Sequence, residues 1–436
     1  MTAKNDSQIG SQQSLLRRRA RLLGPDLALS YQEPLHLVRG EDVWLYDAGG
    51  RAYLDAYNNV AHVGHCHPDV VEAISNQAGQ LNTNTRYLHE AVLDFSEQLT
   101  ATLPAGLDVA FYVNSGSEAN DMAWQMAKAF TGNTGLIVLD QAYHGITEAT
   151  AWMSPSEYEA ASRPDHLETL ESPDAYRGRL RGNGPEVGHG YAESCDLAIT
   201  SLAQRGLRPA TLIVDSGTSS CGILDLPEGY LAAIASKVQA AGGLYIADEV
   251  QVGVGRSGSQ FWGFEAFGVQ PDIVTIGKPI GNGHPIGVVI TRREILAKLN
   301  AYMPFFSTFG GNPVSAAAGL AVLGVMARQS LQQNALETSA YLKAGIKDLA
   351  ERETLIGDVR GSGLLIGIDL VLDRETREPA SEAANLVYNR VRDNGVLVGL
   401  AGQHRNVLKI RPPMTFGKTH ADQLVNTLAE ALNALR

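Results

Sequence analysis

Residues 35–55 alternate apolar and polar positions in three short runs, Leu35–Arg39, Val43–Tyr46 and Ala52–Asp55, with an Ala48-Gly49-Gly50 turn between the last two. A period of two broken by glycine predicts a small antiparallel sheet. Ahead of it, the basic stretch Ser14–Leu23 has helical spacing and predicts a short helix docked through Leu15, Leu16, Leu22 and Leu23. From about residue 66 the pattern changes. Continuous apolar runs at Val109–Val113, Gly135–Leu139, Thr211–Val214, Leu244–Ala247, Ile273–Ile276 and Ile286–Ile290 alternate with glycine-bearing loops and amphipathic stretches such as Ala119–Phe130 and Glu228–Ala241. Unbroken apolar runs suit strands buried on both faces, so the expected class is α/β, a mostly parallel sheet covered by helices. Residues 153–191 are polar, rich in Gly, Pro and Arg, and aperiodic, which predicts a long surface excursion.

Farther along, Asn312–Met326 and Gln332–Arg352 are helical by pattern. Short strands at Leu355–Arg360, Gly363–Leu372, Val396–Val398 and Val407–Ile410 then mix with the helices Glu382–Asn394 and Thr419–Leu435 in an α+β unit. The expected organisation is an N-terminal segment with part of a small lobe at 1–65, a large domain at 66–330, and a C-terminal small domain at 331–436. Both chain ends build the small lobe.

Composition narrows the function classes. With 44% hydrophobic and 19% charged residues over 436 positions, the chain reads as a loop-rich globular enzyme and not as a disordered or fibrous protein. Lys and Arg number 35 against 47 Asp and Glu, a net charge of −12, so nucleic acid and anionic membranes are not expected partners. Any anionic ligand needs a locally built pocket. No apolar run reaches the length of a membrane span, and no signal peptide is visible. Cys66, Cys195 and Cys221 lack metal or disulfide spacing, which points to a reducing cytoplasm.

Some motifs mislead. Gly253-Val254-Gly255-Arg256-Ser257-Gly258 satisfies GxGxxG, yet Phe261-Trp262-Gly263-Phe264 follows where a dinucleotide fold needs a helix. His62, His65, Cys66 and His67 crowd together, but His67-Pro68 reads as a turn into the helix Asp69–Leu81, and no second ligand group stands nearby, so no metal is expected. A GxSxG nucleophile elbow is absent.

Three other features converge. Asn114-Ser115-Gly116-Ser117-Glu118 leaves a strand and opens a helix, so free amides, a glycine and the Ser115 and Ser117 hydroxyls form either a simple helix cap or an anion cradle. Asp248 and Glu249 end the strand Leu244–Ala247, and the strand Ile273–Ile276 delivers Gly277-Lys278-Pro279 to the same edge. A lysine there either pairs with the carboxylate or, desolvated, serves as nucleophile and base. Cradle, acid and amine together match pyridoxal phosphate: phosphate in the cradle, ring nitrogen on the acid, aldehyde on the amine.

The ordered motifs NSGSEAND, YHG, ADEVQVGVGR, IGKPIGNGHP and STFGGNP between residues 113 and 313 resemble the class-III aminotransferase family of fold-type-I pyridoxal-phosphate enzymes, and the similarity extends from about Leu15 over nearly the whole chain. That resemblance implies a large, mostly parallel seven-stranded sheet domain with a small α+β lobe. By the same likeness, Lys278 carries the cofactor, Asp248 pairs with its ring nitrogen and Gln251 lies near its ring hydroxyl. Tyr143 stacks on the ring beside His144, Ser115, Gly116 and Ser117 hold the phosphate, and Thr308 reaches it from a neighbouring subunit. A homodimer with shared active sites, or a pair of such dimers, is implied.

Within that family, transaminases of amino acids present an arginine near the C-terminal Pro-Pro turn and a gating glutamate. This sequence has Lys409 at the arginine's place and Asp215-Ser216-Gly217 at the glutamate-containing turn. A lysine cannot offer a planar fork to a carboxylate. The segments 59–68, 81–89 and 404–409 are similar to those of ethanolamine-phosphate phospho-lyases, a branch of the family. That likeness implies a small phosphorylated amine as substrate, with His62, Arg86, Arg405, Lys409 and Arg411 as candidate holders of its phosphate. An ω-amine or 4-aminobutyrate-type aminotransferase is the alternative.

Overall fold

The computed structural model describes residues 2–158 and 162–435, with side chains from residue 12 onward. Its centre is a seven-stranded sheet of β1 (Val109–Val113), β2 (Gly135–Leu139), β3 (Leu167–Leu170), β4 (Pro209–Val214), β5 (Leu244–Asp248), β6 (Ile273–Ile276) and β7 (Gly287–Thr291). The spatial order is β1-β7-β6-β5-β4-β2-β3. Only β7 runs antiparallel to its neighbours, β1 and β6. Every residue of β2, β4, β5, β6 and β7 is buried, as their unbroken apolar runs require.

The chain ends build the small lobe together. Val396–Leu397 adds in parallel to Ala52–Asp55, completing a four-stranded sheet with Leu37–Glu41 and Trp44–Asp47. A second small sheet joins Ile356–Ser362, Leu365–Leu370, Val407–Ile410 and Gly399–Ala401.

Two expectations need correction. The segment 153–191 is not only a surface excursion, since it supplies β3 at the edge of the large sheet, paired in parallel with β2. With only Leu167 and Leu170 buried, this strand is too short to produce an apolar run. The same stretch begins the helix Pro185–Gln204, whose buried face includes Gly188, Ala192 and Ala198, small residues that hide its helical stripe. Gly188 is needed there, because a Cβ would lie 2.0 Å from the Glu228 carbonyl oxygen. At the N-terminus the helix runs from Thr2 to Leu23, and Leu15, Leu22 and Leu23 are exposed, not docked, in the single chain.

Candidate active site

The C-terminal ends of the parallel strands, where α/β sheets bind ligands, converge on a cavity of about 290 Å³. Ser115, Gly116, Ser117, Tyr143, His144, Asp248, Gln251 and Lys278 all line it. Thr308 does not, and it is exposed in the single chain.

The helix Gly116–Thr131 points its N-terminus at this cavity. Ser115 caps it by accepting from the Glu118 amide at 3.1 Å, while Glu118 accepts from the Asn114 amide at 2.6 Å. The Ser115 hydroxyl oxygen is thus already engaged, and the first-turn amides of Gly116 and Ser117, which no helix can satisfy internally, border the open space. Backbone must come close here. A Cβ on Gly116 would sit 2.9 Å from Val250, and one on Gly145, at φ +142°, 2.5 Å from the Ser117 hydroxyl.

Asp248 is buried at the end of β5 within a network the sequence did not reveal. His144 Nδ1 lies 2.6 Å from its Oδ2, Asn120 donates to the same oxygen at 2.8 Å, and the Val250 amide donates to Oδ1 at 3.0 Å. Asn120 also donates to the His144 carbonyl and accepts from the Thr275 hydroxyl, and Ser154 accepts from the His144 amide. Burial alone would raise the Asp248 pKa, but His144, the Val250 amide and Asn120 outweigh it and hold the carboxyl below its usual range. Glu249 takes the opposite side of the strand end, accepting from the Gly263 and Phe264 amides, and burial pushes it up to about 8. Only Asp248 of the pair is an ionised acid facing the cavity.

Lys278 follows β6 at φ +22°. Burial, and then the charge of Arg411, lower its pKa, with Asp248 and Asp215 opposing. The free amine is therefore more accessible than in an exposed lysine. Asp215, from the end of β4, also lines the cavity; burial and the nearby Asp248 raise its carboxyl.

The five expected phosphate holders separate. His62 is fully buried, with Nε2 2.7 Å from the Val254 carbonyl oxygen and Nδ1 3.2 Å from Arg256 Nη2. Burial and Arg256 push its pKa well down, so it is a neutral structural ring and not an anion-binding cation. Its neighbours are likewise structural: His65 bonds Asp55 and His67 caps the helix Pro68–Gln80. Arg86 is exposed and stacks 3.7 Å over Phe306, two residues before Thr308, and it does not line this chain's cavity. Arg405 and Lys409 line an adjacent space of about 580 Å³, where the Lys409 amine donates to the Ser219 carbonyl at 2.5 Å. Arg411 stands directly behind the cavity wall, donating to Gln251 Oε1 at 2.5 Å and lying 4.4 Å over the Tyr57 ring.

These parts fit one class of group. The amide cradle, made deep by two glycines that a Cβ would fill, suits a phosphate; the ionised, triply bonded Asp248 suits a protonated ring nitrogen; Lys278 is the amine for an aldehyde. The site is that of a pyridoxal-phosphate enzyme.

Comparison with known proteins agrees. Residues 28–432 match the family model described as Aminotransferase class-III, and the chain belongs to that family. It is 41% identical over 434 residues to an alanine–glyoxylate aminotransferase 2-like protein of Drosophila melanogaster, covering 98% of this chain and 88% of that one. It is 36% identical to ethanolamine-phosphate phospho-lyase homolog 1 of Caenorhabditis elegans, with 98% and 95% covered. Among solved structures, a phospholyase from Arthrobacter in complex with phosphoethanolamine superposes with a TM-score of 0.93 at 43% identity, covering 97% of this chain and all of that one. The fold is fold-type I and the cofactor is pyridoxal phosphate.

Proposed function

We propose that this enzyme is a phospho-lyase that converts O-phosphoethanolamine and water to acetaldehyde, ammonia and inorganic phosphate. The observation that carries the reading is the state of Lys409. Its amine is buried and donates to the Ser219 carbonyl, and burial followed by the Arg411 charge pushes its pKa well down. An amino-acid or keto-acid carboxylate thus meets neither a planar fork nor a firm positive charge at this position. The likeness to the phosphoethanolamine-bound phospholyase supports the same conclusion.

Bound pyridoxal phosphate supplies a sink for the electron pair released when a C–H bond next to the substrate nitrogen breaks. Lys278, with its lowered pKa, accepts that proton. Asp248, kept ionised by His144, Val250 and Asn120, holds a proton on the ring nitrogen. The neighbouring C–O bond then breaks and its electrons leave with the phosphate. Water adds to the remaining vinylamine to give acetaldehyde and ammonia, so no amino acceptor is consumed.

A homodimer belongs to the proposal. Arg86 and Thr308, both exposed and joined through Phe306 in one chain, would serve the partner's cavity. The aminotransferase names among the relatives and solved structures support the second reading, an ω-amine or 4-aminobutyrate-type aminotransferase. Supplying phosphoethanolamine without keto acid and measuring phosphate and acetaldehyde separates the two. Absence of both products, with amine transfer to pyruvate, would overturn the lyase reading.

A further inference from the structure

Breaking the C–O bond of a phosphate monoester leaves the bonding pair on the bridging oxygen. Fully deprotonated phosphate is too basic to depart readily, so that oxygen needs a proton just as the C–H proton needs an acceptor. Lys278 supplies only the acceptor. The titratable side chains that line the cavity are Tyr143, His144, Asp215, Asp248, Lys278 and His284. Most are committed elsewhere. Asp248 is held ionised, with His144 bonded to it. His284 lies 2.9 Å from the Ser315 hydroxyl, and burial lowers its pKa, which favours the neutral ring. Burial raises the Tyr143 phenol and makes it a poorer acid.

Asp215 differs. It follows β4 directly and is only partly buried, with one backbone amide on each oxygen: Gly217 donates to Oδ1 at 3.0 Å and Ser219 to Oδ2 at 2.9 Å. Neither oxygen meets a cation at ion-pair distance among the described residues. Burial, and then the negative charge of Asp248, raise its pKa against the Ser219 bonds and His144, which favours the protonated acid. The cavity thus holds two carboxyls that their environments push apart, one ionised and one able to keep its proton. Position agrees with this division. Ser219, whose amide holds Asp215, accepts the Lys409 amine at its carbonyl, and both line the adjacent space. Asp215 lines the cofactor cavity, so its turn stands between the two spaces. A substrate with its amine at Lys278 and its phosphate in the adjacent space has its C–O bond beside this turn.

We propose that Asp215 is the catalytic acid of the elimination, donating its carboxyl proton to the bridging oxygen of the departing phosphate. This deepens the lyase reading and rests on it. The C–H proton goes to Lys278, and the pair it leaves ends as the second bond between the two carbons. The C–O pair stays on oxygen, and the Asp215 proton closes that oxygen as hydrogen phosphate. Asp215 is left ionised while Lys278 carries one extra proton, and passage of that proton through water to Asp215 restores both. No oxidant and no amino acceptor enters.

The test uses cofactor-loaded wild type, Asp215→Asn and Asp215→Glu with phosphoethanolamine and with 2-aminoethyl sulfate, an ester of the same shape whose sulfate departs without a proton. Asp215→Asn should slow phosphate release by at least about 100-fold and leave the initial rate of sulfate release little changed. Asp215→Glu, which keeps an acid, should recover part of the phosphate release. Loss of both reactions by the same factor in Asp215→Asn would mark a structural role and overturn the proposal. Unchanged phosphate release would also overturn it, since the proton would then come from Lys278. An infrared difference spectrum of wild type against Asp215→Asn at neutral pH reads the proton without turnover: a protonated-carboxyl band is expected, and carboxylate bands alone would overturn the assignment. Should Asp215→Asn fail to bind cofactor, wild type decides through solvent deuterium, which should slow phosphate release more than sulfate release; equal effects would overturn the role. Wild type that binds phosphoethanolamine but releases no phosphate would overturn the lyase reading, and the proposal with it.

Discussion

Asn120→Ala tests whether the buried amide network is what fixes the acid beneath the cofactor. Asn120 is 1% exposed, donates to Asp248 Oδ2 and to the His144 carbonyl at 2.8 Å each, and accepts from the Thr275 hydroxyl at 2.6 Å. Truncation removes one bond to an ionised acceptor, about 1.5–3 kcal/mol, and two neutral bonds of about 1 kcal/mol each. Water entering the gap recovers part, so a loss of about 3 kcal/mol is expected. At roughly 2.1 cal/mol/K per residue, the unfolding entropy of a chain this size is about 0.9 kcal/mol/K, and the cofactor-free protein should melt about 3 °C lower. The pH dependence has a definite sign. Because the folded Asp248 pKa is depressed, its stabilising contribution is present above the unfolded value and is lost as pH falls through the folded one. Removing a donor raises the folded pKa toward the unfolded one, so the acid loss becomes smaller and is complete at a higher pH. Thermal melts of the cofactor-free protein across the acid range, with cofactor titrations at neutral pH, measure both effects. An unchanged melting point together with an unchanged acid limb would refute the argument.

Lys278→Ala removes the amine from the cavity wall, and the purified protein should lose the visible band of bound cofactor on gel filtration; a retained band would place the anchor elsewhere. Gly145→Ala puts a Cβ 2.5 Å from the Ser117 hydroxyl and 2.8 Å from its Cα at φ +142°. That strain, about 2–4 kcal/mol, should erase the preference for pyridoxal phosphate over pyridoxal in binding titrations. His62 is buried and neutral, with its pKa lowered by burial and Arg256, so the unfolded chain takes up the proton first and stability falls as pH drops below about 6.5. His62→Gln should flatten that limb, worth up to about 1.4 kcal/mol per pH unit, in denaturant melts between about pH 6.5 and 5.

The cofactor half of the site was legible in the sequence for physical reasons. Glycine-bearing turns at the ends of apolar runs have few alternative uses, so Gly116 and Lys278 could be placed from local pattern, and the family likeness added Tyr143 and Gln251. Asn120 escaped because a single buried amide in a helix leaves no periodic trace; its partners, Asp248 and Thr275, come from different strands. Edge strand β3 escaped because only two of its four residues are buried. His62 misled for the opposite reason. A cluster of imidazoles looks like chemistry, but the ring's neutrality comes first from burial and then from Arg256, nearly two hundred positions away in the chain.

The two halves of the site are built from different materials. The phosphate cradle is backbone, a helix N-terminus and glycines, anchored by the large sheet, and it tolerates side-chain divergence elsewhere. On the lyase reading, the substrate side is made of side chains from the small lobe, where the strand Val407–Ile410 and the residue after it carry Lys409 and Arg411. Two residues apart, these positions present their side chains on the same side of an extended chain. The net charge of −12 fits the same division of labour. On the lyase reading, an acidic exterior gives the anionic substrate no general attraction, so its selectivity would rest on the few buried cations near the strand ends and Val407–Ile410.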